Sequence, residues 1–249
     1  MFKKLLALTT LAVLAACSPS PQETTAQPAM DTPAAIEASA AETETASTVV
    51  IDAAAPTASQ SMQYQQGAHY ERFTNAQGTS SSPDKIEVAE IFWYGCGHCF
   101  SFEPYLQKWK KTLGSDVSFV KHPVMWNPTN EIHARLFYTA QALGLDEADG
   151  DIFSEIHTKR KMLASESAQR DFITSKYDVS KADFDKAYRS FSVNGKLQQA
   201  KNWTQRYKVR SVPLLVINGK YAVVGPELSG YEQLLDVADE LIDRERQER

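Results

Sequence analysis

The stretch "EIFWYGCGHCFSFEPYL", Glu90 to Leu106, restricts the fold more than any other part of the chain. It continues an apolar run, "IEVAEIFWY" from Ile86 to Tyr94, with the length and the aromatic and β-branched content of a strand. Gly95 breaks that run. Cys96 and Cys99 follow three residues apart, and Cys99, Phe102, Leu106 and Trp109 then recur at helical intervals. The segment reads as strand, turn and helix, with the helix starting near Cys96 and both sulfurs at the turn. Pro104 is expected to kink the helix, because it has no N–H to offer the carbonyl four residues back.

"VSFVKHPV", Val117 to Val124, is a second apolar run of strand length. A long helical region follows. "TNEIHARLFYTAQALG" ends at Gly144, a C-cap residue, and "EADGDIFSEIHTKRKML" and "ESAQRDFITSKY" come next. "SKADFDKAYRS" opens on Ser180 and Asp183, an N-terminal pairing that suits a helix start, and "GKLQQAKNWTQRYK" is a further helix. "VPLLVING" and "KYAVVG" read as two strands joined at Asn218-Gly219, a strong hairpin signal. "YEQLLDVADELIDRER" closes the chain as an amphipathic helix. With no repeat and no second linker-like boundary, residues 64–249 form one α/β domain with an all-helical insertion. Trp126, Phe137, Tyr138, Phe153 and Phe172 are expected in helical core packing, and Phe92 and Trp93 in the packing of the first strand.

The N-terminus belongs to a different class. Residues 1–16, "MFKKLLALTTLAVLAA", place two lysines before a short apolar run that ends in small residues, the pattern of a secretory signal. Cys17 comes next, and "LAAC" resembles the lipobox of bacterial lipoproteins, so Cys17 is expected to carry lipid at the mature N-terminus. Ser18 to Met62 is rich in Ala, Thr, Ser, Pro and Glu, with no aromatic residue, Lys or Arg. Such a segment buries too little apolar surface to offset chain entropy, so residues 17–63 read as a lipidated, disordered tether. The formal net charge of −5 and the absence of a basic cluster give no electrostatic basis for nucleic-acid binding.

With Cys17 carrying lipid, Cys96 and Cys99 are the two remaining thiols, in a compartment where disulfides persist. A structural zinc site needs four ligands, and there is no second cysteine pair, while His69, His122, His133 and His157 are scattered without ligand spacing. Haem attachment needs a histidine after the second cysteine, where Phe100 stands. A crosslink closing so short a loop removes little unfolded-state entropy and is a poor staple. A reactive dithiol accounts for more. At a helix N-terminus, Cys96 would face unpaired N–H groups and the positive end of the dipole, both of which favour the thiolate. His98 adds a donor, and Cys99, one turn deeper, could resolve a mixed disulfide formed at Cys96.

"CGHC" between a β-run and a helix resembles the thioredoxin fold, and the order of elements resembles the DsbA family of bacterial thiol:disulfide interchange proteins. The resemblance covers about residue 64 to the end and implies a thioredoxin-like α/β fold with an all-helical insertion at about 128–194. "RSVPLLVINGKY", Arg210 to Tyr221, resembles the family's cis-proline segment. This maps the cis-proline onto Pro213, with the backbone of Val212 lining the surface that receives an extended polypeptide. Glu90, Glu103 and Lys121 also fall where the family has charged residues. As bare features, Glu103 and Lys121 read as ordinary surface charges, whereas Glu90 inside an apolar strand must be paired or protonated. Glu90 and Lys121 are read as a partly buried pair relaying protons for Cys99. The chain departs from the family at Gly97-His98, where strongly oxidising relatives carry Pro-His.

The resemblance implies an enzyme with no cofactor beyond its own Cys96–Cys99 disulfide and no metal. Its substrates would be unfolded or newly exported cysteine-containing proteins, and a DsbB-type membrane oxidase would reoxidise it. A monomeric lipoprotein, anchored to a membrane in the periplasm of a Gram-negative bacterium, is the corresponding expectation. Two alternatives stand beside the oxidase: a periplasmic reductase or isomerase, and a peptide-binding module with an inert dithiol.

Overall fold

The structure, a computed structural model, describes residues 62–249. The signal segment, Cys17 and the tether up to residue 61 lie outside the described residues. Five strands form one sheet in the order β1-β5-β4-β2-β3: β1 (Glu71–Arg72), β2 (Ile86–Phe92), β3 (Val117–Pro123), β4 (Leu214–Ile217) and β5 (Tyr221–Val223). β2 pairs in parallel with β3 and antiparallel with β4, and all of its residues are buried. A strand buried on both faces reads as a continuous apolar run, which is why "IEVAEIF" lacks polar alternation. The short β1 carries no strand signal of its own and is held by pairing with β5.

Alternation along β2 divides its side chains between two layers. Ile86 and Val88 pack with Phe102, Leu106 and Trp109 of α1 (Gly97–Lys110) and with Leu234, Leu241 and Ile242 of α7 (Tyr231–Gln247). Ala89 and Ile91 face Trp203 and Tyr207 of α6 (Phe191–Arg206). Glu90 shares the parity of Ile86 and Val88, and the strand therefore aims a carboxylate into the α1 layer. Helix α1 runs through Pro104 as one helix.

Between β3 and β4 stand α2 (Pro128–Ala142), α3 (Ala148–His157), α4 (Glu166–Lys176), α5 (Lys181–Tyr188) and α6. They share a core that includes Phe137, Tyr138, Phe153 and Phe172. Trp126 departs from its expected place in that core. It is 43% exposed, with its indole N–H donated to the Val209 carbonyl, because it lies in the linker before α2 and not on a helix face. Helix α3 stops at His157, short of the expected Leu163. Lys159 and Lys161 turn back to Glu155 at 2.8 and 3.1 Å, and Arg160 and Leu163 adopt positive φ. Helix α6 begins earlier than expected, at Phe191, where the Ser190 hydroxyl accepts the Val193 N–H. Residue 194 therefore lies within a helix. At the β4–β5 hairpin, Asn218 and Gly219 have φ of 50° and 62°, and the Lys220 N–H donates to the Ile217 carbonyl at 2.9 Å. This is the double left-handed turn that matches strand twist.

Candidate active site

Cys96 is the N-cap of α1. Its backbone is extended, its N–H donates to the Trp93 carbonyl at 2.9 Å, and its sulfur accepts the Cys99 N–H at 3.4 Å. A sulfur in the position usually held by a serine or aspartate oxygen meets donors that the helix leaves unpaired. The Cys96 thiol is held down to about 6, chiefly by the Cys99 side chain and then by the Cys99 and His98 N–H groups, against the opposing effect of burial. Cys99 sits one turn into the helix and is fully buried; burial and the Cys96 sulfur push its thiol far above the usual range. One sulfur is thus prepared as the nucleophile and leaving group, while the other stays protonated.

Opposite the dithiol, the Val212–Pro213 peptide bond is cis, and the Val212 carbonyl accepts from the Cys96 thiol at 3.4 Å. Gly97 and His98 lie in the first turn of α1. His98 is exposed, and its Nδ1 is 3.3 Å from the Tyr231 hydroxyl.

Beneath α1 is a buried charge cluster. The Lys121 ammonium lies 3.0 Å from Asp149, 3.2 Å from Glu103 and 3.4 Å from Glu90. It also lies over the Phe92 ring, 4.4 Å from its centroid. Glu103 and Lys121 are therefore not surface charges. Pairing across β2–β3 places Lys121 opposite Glu90, and α1 closes over both with Glu103. Burial pushes the Glu90 carboxyl up to about 7; Lys121 opposes this, and Glu103 and Asp149 add to it. The Tyr94 hydroxyl donates to Asp149.

The helical insertion fastens the strand-to-helix junction. His157 Nε2–H donates to the Tyr94 carbonyl at 2.7 Å, and its ring stacks on Phe100 at 4.8 Å. Trp93 Nε1–H donates to His133 Nδ1 at 2.9 Å while His133 Nε2–H donates to the Met162 carbonyl at 2.7 Å, which fixes a neutral tautomer. Asp149, Tyr94, His133, His157 and Tyr231 are site residues that sequence reasoning missed. Each depends on a partner far away in the chain, and no local spacing marks it.

Residues 87–238, more than half of the chain, match the family model described as a DSBA-like thioredoxin domain. The chain is 39% identical over 181 residues to the thiol:disulfide interchange protein DsbA of Pseudomonas syringae pv. tomato, covering 72% of this chain and 84% of that protein. The crystal structure of Pseudomonas aeruginosa DsbA superposes with a TM-score of 0.70 at 36% identity, over 74% of this chain and 95% of that one. The oxidoreductase DsbA from Xylella fastidiosa superposes with a TM-score of 0.69 at 27% identity, over 74% and 98%.

Proposed function

The chain belongs to the DsbA family of thiol:disulfide interchange proteins, and from that premise we propose that its Cys96–Cys99 disulfide is donated to exported cysteine-containing proteins. A substrate thiolate attacks Cys96 Sγ, the Cys96–Cys99 bond breaks, and its electron pair passes to Cys99. A second substrate thiolate then attacks the substrate sulfur of the mixed disulfide and expels Cys96 as a thiolate. Substrate loses two electrons and leaves with a disulfide, while the enzyme leaves as a dithiol. The observation that carries this reading is the N-cap sulfur of Cys96, ionised near pH 6 and therefore a good leaving group.

The other residues take supporting roles. The Val212 backbone pairs with an extended substrate beside the cis Pro213, His98 offers a donor to the Cys96 thiolate, and Gly97 begins the helical turn that the Cys96 sulfur caps. Cys99, which cannot remain ionised in its apolar setting, takes a proton from Glu90, with Lys121 and Glu103 closing the relay. A DsbB-type membrane oxidase restores the disulfide, and the enzyme needs no other cofactor. Lipid on Cys17 anchors a monomeric enzyme to a membrane in the periplasm.

Trapping the protein from cells with acid and alkylating free thiols tests the direction of electron flow. Mostly disulfide is the expected state; mostly dithiol would mean a reductase. Cys96→Ser should abolish oxidation of a reduced test protein, and Cys17→Ser should abolish incorporation of labelled fatty acid.

A further inference from the structure

We propose that Asp149, carried by α3 of the helical insertion, is a positioning residue for this chemistry: by engaging the Lys121 ammonium, it leaves Glu90 holding the proton destined for Cys99. This inference rests on the relay role assigned to Glu90 above.

Three carboxylates surround one ammonium. Asp149 makes the shortest contact, at 3.0 Å, and Lys121 donates a hydrogen bond to Glu103 at 3.2 Å. Glu90 is left farthest, at 3.4 Å, and both of its oxygens are buried without a hydrogen-bond partner. A carboxylate removed from water and given no donor is costly; the protonated acid is the form such a site tolerates. The groups facing Glu90 are Lys121 from β3, Glu103 and Cys99 from α1, Tyr94 beyond the end of β2, and Asp149 from α3. Among them, Lys121 is the only cation.

Asp149 is built to hold its position. It stands in the first turn of α3, where a carboxylate complements the helix dipole, and the Tyr94 hydroxyl donates to its second oxygen. Its side chain is 18% exposed, against 0% for Glu90, and with Lys121, Phe119 and Lys196 it edges a cleft of about 360 Å³. Solvent thus reaches the outer end of the cluster and not the inner one.

The step balances. When a substrate thiolate bonds to Cys96 Sγ, the electron pair of the broken disulfide moves to Cys99 Sγ. The Glu90 proton follows, giving a neutral Cys99 thiol and a Glu90 carboxylate beside Lys121. A proton taken up from solvent at the Asp149 end of the cluster then passes inward and restores the acid.

Asp149→Asn removes the charge at nearly constant volume. Two readouts are compared in wild type, Asp149→Asn and Glu90→Gln. One is the infrared carboxylic-acid band of Glu90, assigned by its loss in Glu90→Gln; the other is the pH profile of single-turnover reduction of the disulfide by dithiothreitol. Without the Asp149 charge, Lys121 closes on Glu90, and the Glu90 midpoint should fall by about one pH unit, with the profile moving alongside it. Asp149→Glu should return both toward wild type. An unmoved midpoint in folded Asp149→Asn overturns the role of Asp149, while Glu90→Gln still altering the profile leaves the relay standing. A profile unchanged in Glu90→Gln removes the relay and this proposal together. If Asp149→Asn does not fold, Asp149→Thr, uncharged and of nearly the same volume, reads the same shift.

Discussion

The sulfur of Cys96 stands 3.4 Å from the carbonyl oxygen of Val212, a residue 116 positions farther along the chain. That contact brings the helix end that ionises the sulfur against the loop that enters β4. In the proposed mechanism, a polypeptide laid along Val212 would meet the Cys96 sulfur directly.

The pH dependence of thiol reactivity follows from the local donors. Cys96 is an acid whose pKa is lowered from 9.0 to about 6, so the stabilisation of its thiolate is complete above the ordinary value and lost as pH falls through 6. Iodoacetamide labelling of the reduced protein should be half-maximal near pH 6, with Cys99 unlabelled through neutrality. Because the Cys99 side chain is the largest contributor, Cys99→Ala should raise the Cys96 midpoint by about one unit in a thiolate-absorbance titration.

Gly97 occupies a position that suits proline. A Cβ there meets nothing within 4 Å, and Cys96 already holds φ −88° and ψ 117°, which a following proline requires. Gly97 is also the first residue of α1, where the N–H has no partner within the helix. Gly97→Pro should raise stability by about 0.4–1 kcal/mol in urea denaturation of the reduced form, by restricting the unfolded chain. By stiffening the turn that holds Cys96 at the cap, it should also move the equilibrium with glutathione toward the dithiol.

Glu90 governs stability in the opposite sense to Cys96. Its pKa is raised from 4.5 to about 7, so the site is undisturbed below pH 4.5 and loses stability as pH rises through 7. Glu90→Gln should match wild type at pH 4 and exceed it at pH 8, by at most about 3 kcal/mol. Thermal melts at both pH values measure the difference, and a larger gain at the acid end would reverse the assignment.

Gly219→Ala tests the hairpin. The residue has φ of 62°, and a Cβ would lie 2.5 Å from the Gly78 carbonyl oxygen. Both backbone strain and collision oppose the methyl group, and guanidinium unfolding should show a loss of about 1–3 kcal/mol.

The strand, turn, helix and cysteine pair were legible because each is a local pattern: an apolar run, a break, and 3.6-residue spacing. Asn218-Gly219 was legible for the same reason. Glu90 was recognisable as a misfit within an apolar strand, and residue type alone showed that it needed a partner or a proton. Asp149 carried no comparable signal, since an acidic residue in the first turn of a helix is ordinary, and only the packing of α3 against Lys121 singles it out. Phe191 shows the limit for element boundaries: the expected helix opened at Gly195, but the Ser190 cap starts α6 before it.

A helix capped by a thiolate has a lock at its own start that works in only one redox state. Once the sulfur is bonded to Cys99 or to a substrate, it carries no charge for the first amides to hold, so α1 is wound most firmly when the enzyme is spent. The fold itself then pulls toward giving the disulfide away, and the exchange rate of a single amide proton, on Cys99, would report whether the enzyme is armed.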